Sequence, residues 1–147
     1  MFPRKYRIHA FLALLALVII FYPSYSKKPD QQRLDASSLA AVHFLELVDA
    51  GQYEQSWQGA AGYLQQEIPL EEWTSRLSEV RSAAGKLLER KQKDYIYTKD
   101  AKQGIPEGEY MVFIFNSTFA TKQNIHETVT LILEQDKIWR VAGYFIE

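Results

Sequence analysis

The most constraining feature of this 147-residue sequence is a change of hydrophobic period near Gly85. Before it, apolar residues recur every third or fourth position, the spacing that puts side chains on one face of a helix. After it they recur every second position, the spacing of a half-buried strand. Ala41, Phe44, Leu45 and Val48 share one helical face, with Asp35 placed as N-cap and Gly51 as the C-terminal stop. Tyr53, Trp57, Ala60, Ala61 and Leu64 make a second, shorter face, and Gly59-Ala60-Ala61-Gly62 reads as a close-packing or helix-break feature within it. Pro69 suits the first turn of a third helix whose stripe is Leu70, Trp73, Leu77, Val80 and Ala84.

The second half predicts about four strands. The first begins near Leu87 and contains Tyr95 to Tyr97, and a turn-rich break follows at Gln103–Gly108. In the stretch Tyr110 to Ala120, Met111, Phe113, Phe115 and Phe119 point one way while Val112, Ile114, Asn116 and Thr118 point the other. Ile125, Val129, Leu131 and Leu133 share a face of the next strand, and a tight turn at Gln135-Asp136-Lys137 leads to Trp139, Val141 and Phe145. Helices first and strands afterwards mean α+β: three helices packed on one face of a curved antiparallel sheet of about four strands, a cone-shaped roll.

Ahead of this body, Met1 to His9 carry Arg4, Lys5 and Arg7, and Ala10 to Tyr22 form an apolar run of 13 residues. Ser24 and Ser26 then stand where a signal peptidase reads small residues. Residues 1–26 are therefore expected to be a signal peptide or an uncleaved membrane anchor, 27–35 a linker, and 36–147 one domain. Either reading exports the body across the inner membrane, to the periplasm or to an anchored position facing it. Beyond residue 26 the chain has 14 basic and 18 acidic groups, which is the wrong balance for a nucleic-acid binder. The absence of cysteine excludes disulfides, thiolate-ligated metals and thiol nucleophiles.

Two resemblances follow from the residues. The helices-then-meander order ending in Asp136-Lys137-Ile138-Trp139-Arg140-Val141-Ala142-Gly143-Tyr144 resembles the nuclear-transport-factor-2-like, or cystatin-like, superfamily. The run Phe44 to Trp57, the stretch Arg81 through Gly85 to Arg90, and Glu127-Thr128-Val129-Thr130 with the Trp139 to Tyr144 ending resemble the bacterial family catalogued as domain of unknown function 4019. That likeness spans roughly residues 36 to 147. It implies an envelope-directed domain and brings no catalytic residue with it.

Motifs for chemistry are sparse. His9 lies in the targeting segment, and His43 and His126 stand in no metal-ligand spacing, so no metal and no cofactor are expected. There is no Gly-x-Ser-x-Gly elbow and no Ser-x-x-Lys pair. The basic run Lys86, Arg90, Lys91 and Lys93 reads as a solvated strand face. One position stands out: Glu127 alternates with Val129 and Leu131, so an acid shares a face with apolar groups, and Arg140 on the adjacent strand is expected to neutralise it. Resemblance to the superfamily's enzymes would make Glu127 or Asp49 a base, with Tyr110, Tyr144 or Arg140 as partner.

The sequence favours a non-catalytic module that binds an envelope protein or a small apolar ligand between sheet and helices. The candidate lining is Tyr53, Trp57, Trp73, Tyr110, Phe113, Phe115, Glu127, Arg140 and Tyr144. A pocket enzyme of hydrolase, isomerase or dehydratase type, and a structural module pairing as a homodimer, are the alternatives.

Overall fold

The computed structural model describes residues 28–99 and 104–147. The expected signal or anchor segment, residues 1–26, lies outside the described residues, as does Gln103 of the turn-rich break. Among the described residues no helix is long and apolar enough to cross a membrane. In the described residues four helices, α1 (Gln31–Asp49), α2 (Tyr53–Gln58), α3 (Gly62–Glu67) and α4 (Leu70–Ala84), precede four strands, β1 (Leu87–Thr98), β2 (Glu109–Phe119), β3 (Ile125–Leu133) and β4 (Trp139–Ile146). The strands form one antiparallel sheet in the order β1-β2-β3-β4.

Two helix boundaries differ from the sequence reading. Helix α1 begins at Gln31, within the stretch expected to be linker, because Asp30 rather than Asp35 caps it. The Asp30 side chain accepts from the Arg33 backbone N–H at 2.8 Å, satisfying one of the donors a helix start leaves orphaned. The second expected helix is two short ones. The N–H of Ala61 donates to the carbonyl of Val141 on β4 at 2.8 Å, so this donor serves the sheet edge and the helix cannot run through it. Glycines end the two long helices: Gly51 and Gly85 hold φ of 73° and 79°, where a side chain is strained. At Gly85 a Cβ would also come within 3.3 Å of the Ala120 Cβ.

The core lies between the helices and one face of the sheet. Phe44, Leu45 and Val48 of α1, Leu64 of α3, and Trp73 and Leu77 of α4 pack on Met111, Phe113, Phe115, Val129, Leu131, Trp139, Val141 and Tyr144. Strand β2 alternates as its sequence predicts. Strand β4 does not: its register shifts between the pairs Thr130–Gly143 and Leu131–Val141. This bulge inserts one residue, so Tyr144 faces the helices on one side of it and Val141 and Trp139 on the other. On the reverse face, Tyr110, Ile132 and Ala142 form a smaller cluster with Ala61 and Ile105.

Candidate functional site

Sheet alternation that buries Val129 and Leu131 carries Glu127 inward with them, to 0% exposure. A carboxylate stripped of water needs a partner at each of its lone-pair sites. Glu127 has four. Its Oε1 accepts from the Tyr144 hydroxyl at 2.5 Å and from Arg90 Nη2 at 3.0 Å. Its Oε2 accepts from Arg90 Nε at 2.6 Å and from the Ser117 hydroxyl.

Arg90 passes the contact on. Its Nη1 and Nη2 donate to the two Asp49 oxygens at 2.6 and 3.0 Å, a paired geometry that a planar guanidinium suits. Asp49 also meets Arg81 Nη2 at 2.8 Å, and Arg81 Nη1 stands 3.9 Å from Glu127 Oε1. Arg81 Nη1 is buried without a hydrogen-bond partner, and the guanidinium lies 4.7 Å from the centre of the Phe119 ring, whose negative face attracts it. Two acids and two guanidinium groups thus share one site, with a hydroxyl from each side. The six residues come from α1, α4 and all four strands.

The electrostatics follow from this arrangement. Burial alone would raise the Asp49 pKa, but hydrogen bonds and charge from Arg90, then from Arg81, outweigh it and hold the carboxyl below its ordinary value of 3.8. Burial raises the Tyr144 pKa strongly, and the Glu127 charge adds to the shift, so the phenol keeps the proton it donates. Arg90 loses hydration, yet its bonds to Asp49 and Glu127 carry its pKa above the ordinary guanidinium value. Arg81 also complements the negative C-terminal end of α4.

Of the sequence-predicted residues, the structure brings together Glu127, Tyr144 and Asp49. The expected Glu127–Arg140 pair does not form. Arg140 alternates with the inward Trp139 and Val141 and so lies on the reverse face, opposite Ile132, where its guanidinium bonds Glu134 at 2.6 Å and Asp136 at 2.8 and 2.9 Å. Tyr110 is on that face too; its hydroxyl donates to the Pro106 carbonyl at 2.6 Å, and burial pushes its pKa up to about 12. Phe113 and Phe115 are buried in the core with ring centres 6.4 Å apart. Trp73 is buried against Phe44 and donates to the Ser56 hydroxyl at 3.0 Å. Trp57 is half-buried and donates to the Ile68 carbonyl at 2.8 Å. Tyr53 is half-buried beside Asp49 and Arg81.

Sequence reasoning missed Arg81, Arg90 and Ser117 as members of the site. Arg90, read as part of a solvated strand face, is instead drawn inward, with its side chain 12% exposed. The available signal was parity, and only for Ser117, which continues the β2 parity of Phe113 and Phe115. Among the described residues no group of His, Asp and Glu is placed to hold a metal ion.

Depressions open on the surface of the described residues. One, of about 520 Å³, lies over the cluster and is lined by Asp49, Gly51, Tyr53, Arg81, Ser82 and Lys86. Another, of about 250 Å³, runs between α1 and β4 and is lined chiefly by apolar groups, with His43, Leu47 and Ile138 at its rim. Ile138 is 51% exposed, and Leu39, next to the lining residue Ala40, is 72% exposed.

A search of curated proteins finds no match to the chain. The model of the family described as Protein of unknown function (DUF4019) matches residues 40–144, a span that holds all six residues of the buried cluster. The chain belongs to that family.

Proposed function

We propose that this chain is a non-catalytic interaction module of the bacterial cell envelope, held or delivered there by its N-terminal segment. The observation that carries the reading is the saturation of Glu127. A general base must offer a lone pair to a substrate proton within hydrogen-bond reach. All four lone-pair sites of Glu127 are taken, and the side chain has no exposed surface. Asp49, a quarter exposed, is paired with two guanidinium groups that hold it ionised. These acids serve the fold, which weighs against the pocket-enzyme alternative.

The space between helices and sheet is filled by Phe44, Trp73, Phe113, Phe115 and Tyr144, which weighs against a small apolar ligand held there. The groove between α1 and β4, with exposed Leu39 and Ile138 beside it, is the surface best suited to a protein partner. The order of helices and meander also fits the nuclear-transport-factor-2-like architecture, a scaffold that serves binding and catalysis alike.

A photoreactive amino acid at His43, in the full chain in its native cells, tests this reading. The expected result is one discrete protein adduct that Ile138→Glu abolishes while the chain stays folded. An adduct of twice the chain's mass would identify a second copy as the partner. No adduct, or adducts indifferent to Ile138→Glu, would overturn the groove as the interaction surface.

A further inference from the structure

The sheet has two edge strands, and they are treated differently. The outer edge of β4 is occupied at Val141, whose carbonyl accepts the Ala61 N–H. Strand β1 is 12 residues long and, among the described residues, has β2 on one side only. Among the described residues the nearest backbone bond outside the ladder is Ala120 N–H to the carbonyl of Lys86, the residue before the strand, at 2.8 Å. Side chains from Leu88 to Asp94 are exposed apart from Arg90. A long edge of this kind is a ready template for a further strand.

We infer that β1 is a guarded edge, in which Lys91 and Lys93 keep its free side from pairing with β1 of a second copy. Antiparallel pairing about Gln92 sets Lys91 of each chain opposite Lys93 of the other, twice over, and this is the register the lysines guard; pairing about Lys91 sets that residue opposite itself but also Glu89 opposite Lys93. The register between the two opposes Glu89 to Asp94. Like charges directly opposite one another on a sheet repel. Two register irregularities, between Leu87 and Glu89 and between Gln92 and Asp94, bend the same stretch and break the even spacing a partner strand needs. The arrangement matters because Leu88 beside it is 63% exposed and would reward pairing.

The cysteine-free sequence gives a clean test. A single Gln92→Cys in the full chain reports edge pairing as an interchain disulfide under mild oxidation, and Gln58→Cys on exposed α2 sets the collisional background. The parent background is expected to cross-link at Gln92→Cys no more than at Gln58→Cys. With K91T and K93T added, the Gln92→Cys yield should rise about fivefold or more while that of Gln58→Cys stays put. K91E with K93E, which keeps like charges opposed, should leave the yield low. Both lysines are exposed, so circular dichroism should report the same fold throughout. Strong cross-linking of the parent would make β1 a pairing site rather than a guarded one. An unchanged yield in the threonine variant, or a raised one in the glutamate variant, would remove the lysine charges as the guard.

Discussion

The same side-chain types build two clusters in this molecule, one buried and one at the surface. Glu127, Arg90 and Arg81 lie between helices and sheet, with Glu127 fully enclosed, and Asp49 closes the cluster at the surface with a quarter of its side chain exposed. Arg140, Glu134 and Asp136 lie at the β3–β4 turn, and Arg140 and Glu134 keep more than a quarter of their side chains exposed. Distances hardly distinguish them: Arg90 meets Glu127 at 2.6 Å, and Arg140 meets Glu134 at 2.6 Å. What differs is the alternative open to a group that loses its partner. At the turn, water replaces it. In the interior nothing does, so the buried set is costly to break even where its net value against an apolar replacement is small.

That contrast fails or sharpens on a series of variants. Glu127→Gln carries the largest expected effect, because two guanidinium groups then share the single charge of Asp49. A loss of about 3–5 kcal/mol in urea-induced unfolding is expected. Tyr144→Phe removes one of four donors and keeps the ring that packs edge-on against Phe44 at 5.4 Å. It should cost about 1.5–3 kcal/mol, the range for a hydrogen bond to a charged group. Arg140→Ala at the turn should cost no more than about 1 kcal/mol, and less at high salt. Equal losses for Glu127→Gln and Arg140→Ala would erase the distinction between the two regions.

Acid gives a smaller, graded effect. The folded state depresses the Asp49 pKa below 3.8, so Asp49 binds a proton more readily when the chain is unfolded. Its contribution is complete above that value and is lost as pH falls through the depressed one. Stability followed by denaturant midpoint should therefore decline below about pH 4, and Asp49→Asn should flatten the part of that slope that Asp49 supplies. An identical slope in the variant would show that Asp49 is not linked to folding.

How much of this was legible in the sequence depends on distance along the chain. The inward parity of Phe113, Phe115 and Ser117 is a local property of β2, and alternation alone exposed Glu127 as an acid on an apolar face. Its partners are non-local: Arg90 is 37 positions away, brought near by strand pairing that the sequence does not specify residue by residue. Arg140 was chosen for its adjacent strand alone, although it alternates with the inward Trp139 and Val141; the bulge on β4 then brings Tyr144 inward where unbroken alternation expects Phe145. A bulge costs one residue and leaves no apolar signature, so periodicity passes over it. Asp30 was missed as the cap of α1 because the polar run before Leu34 lacks the hydrophobic spacing that marks a helix.

The central claim is that the interior charges act as one linked set, and a double-mutant cycle between Glu127 and Arg90 tests it most directly. Glu127→Gln, Arg90→Met and the two together would be compared by equilibrium unfolding in urea. The double variant is expected to lose less than the sum of the single losses, with a coupling of about 1–3 kcal/mol. Losses that simply add would mean that Glu127 and Arg90 contribute independently, and the buried cluster would no longer account for how the helices are tied to the sheet.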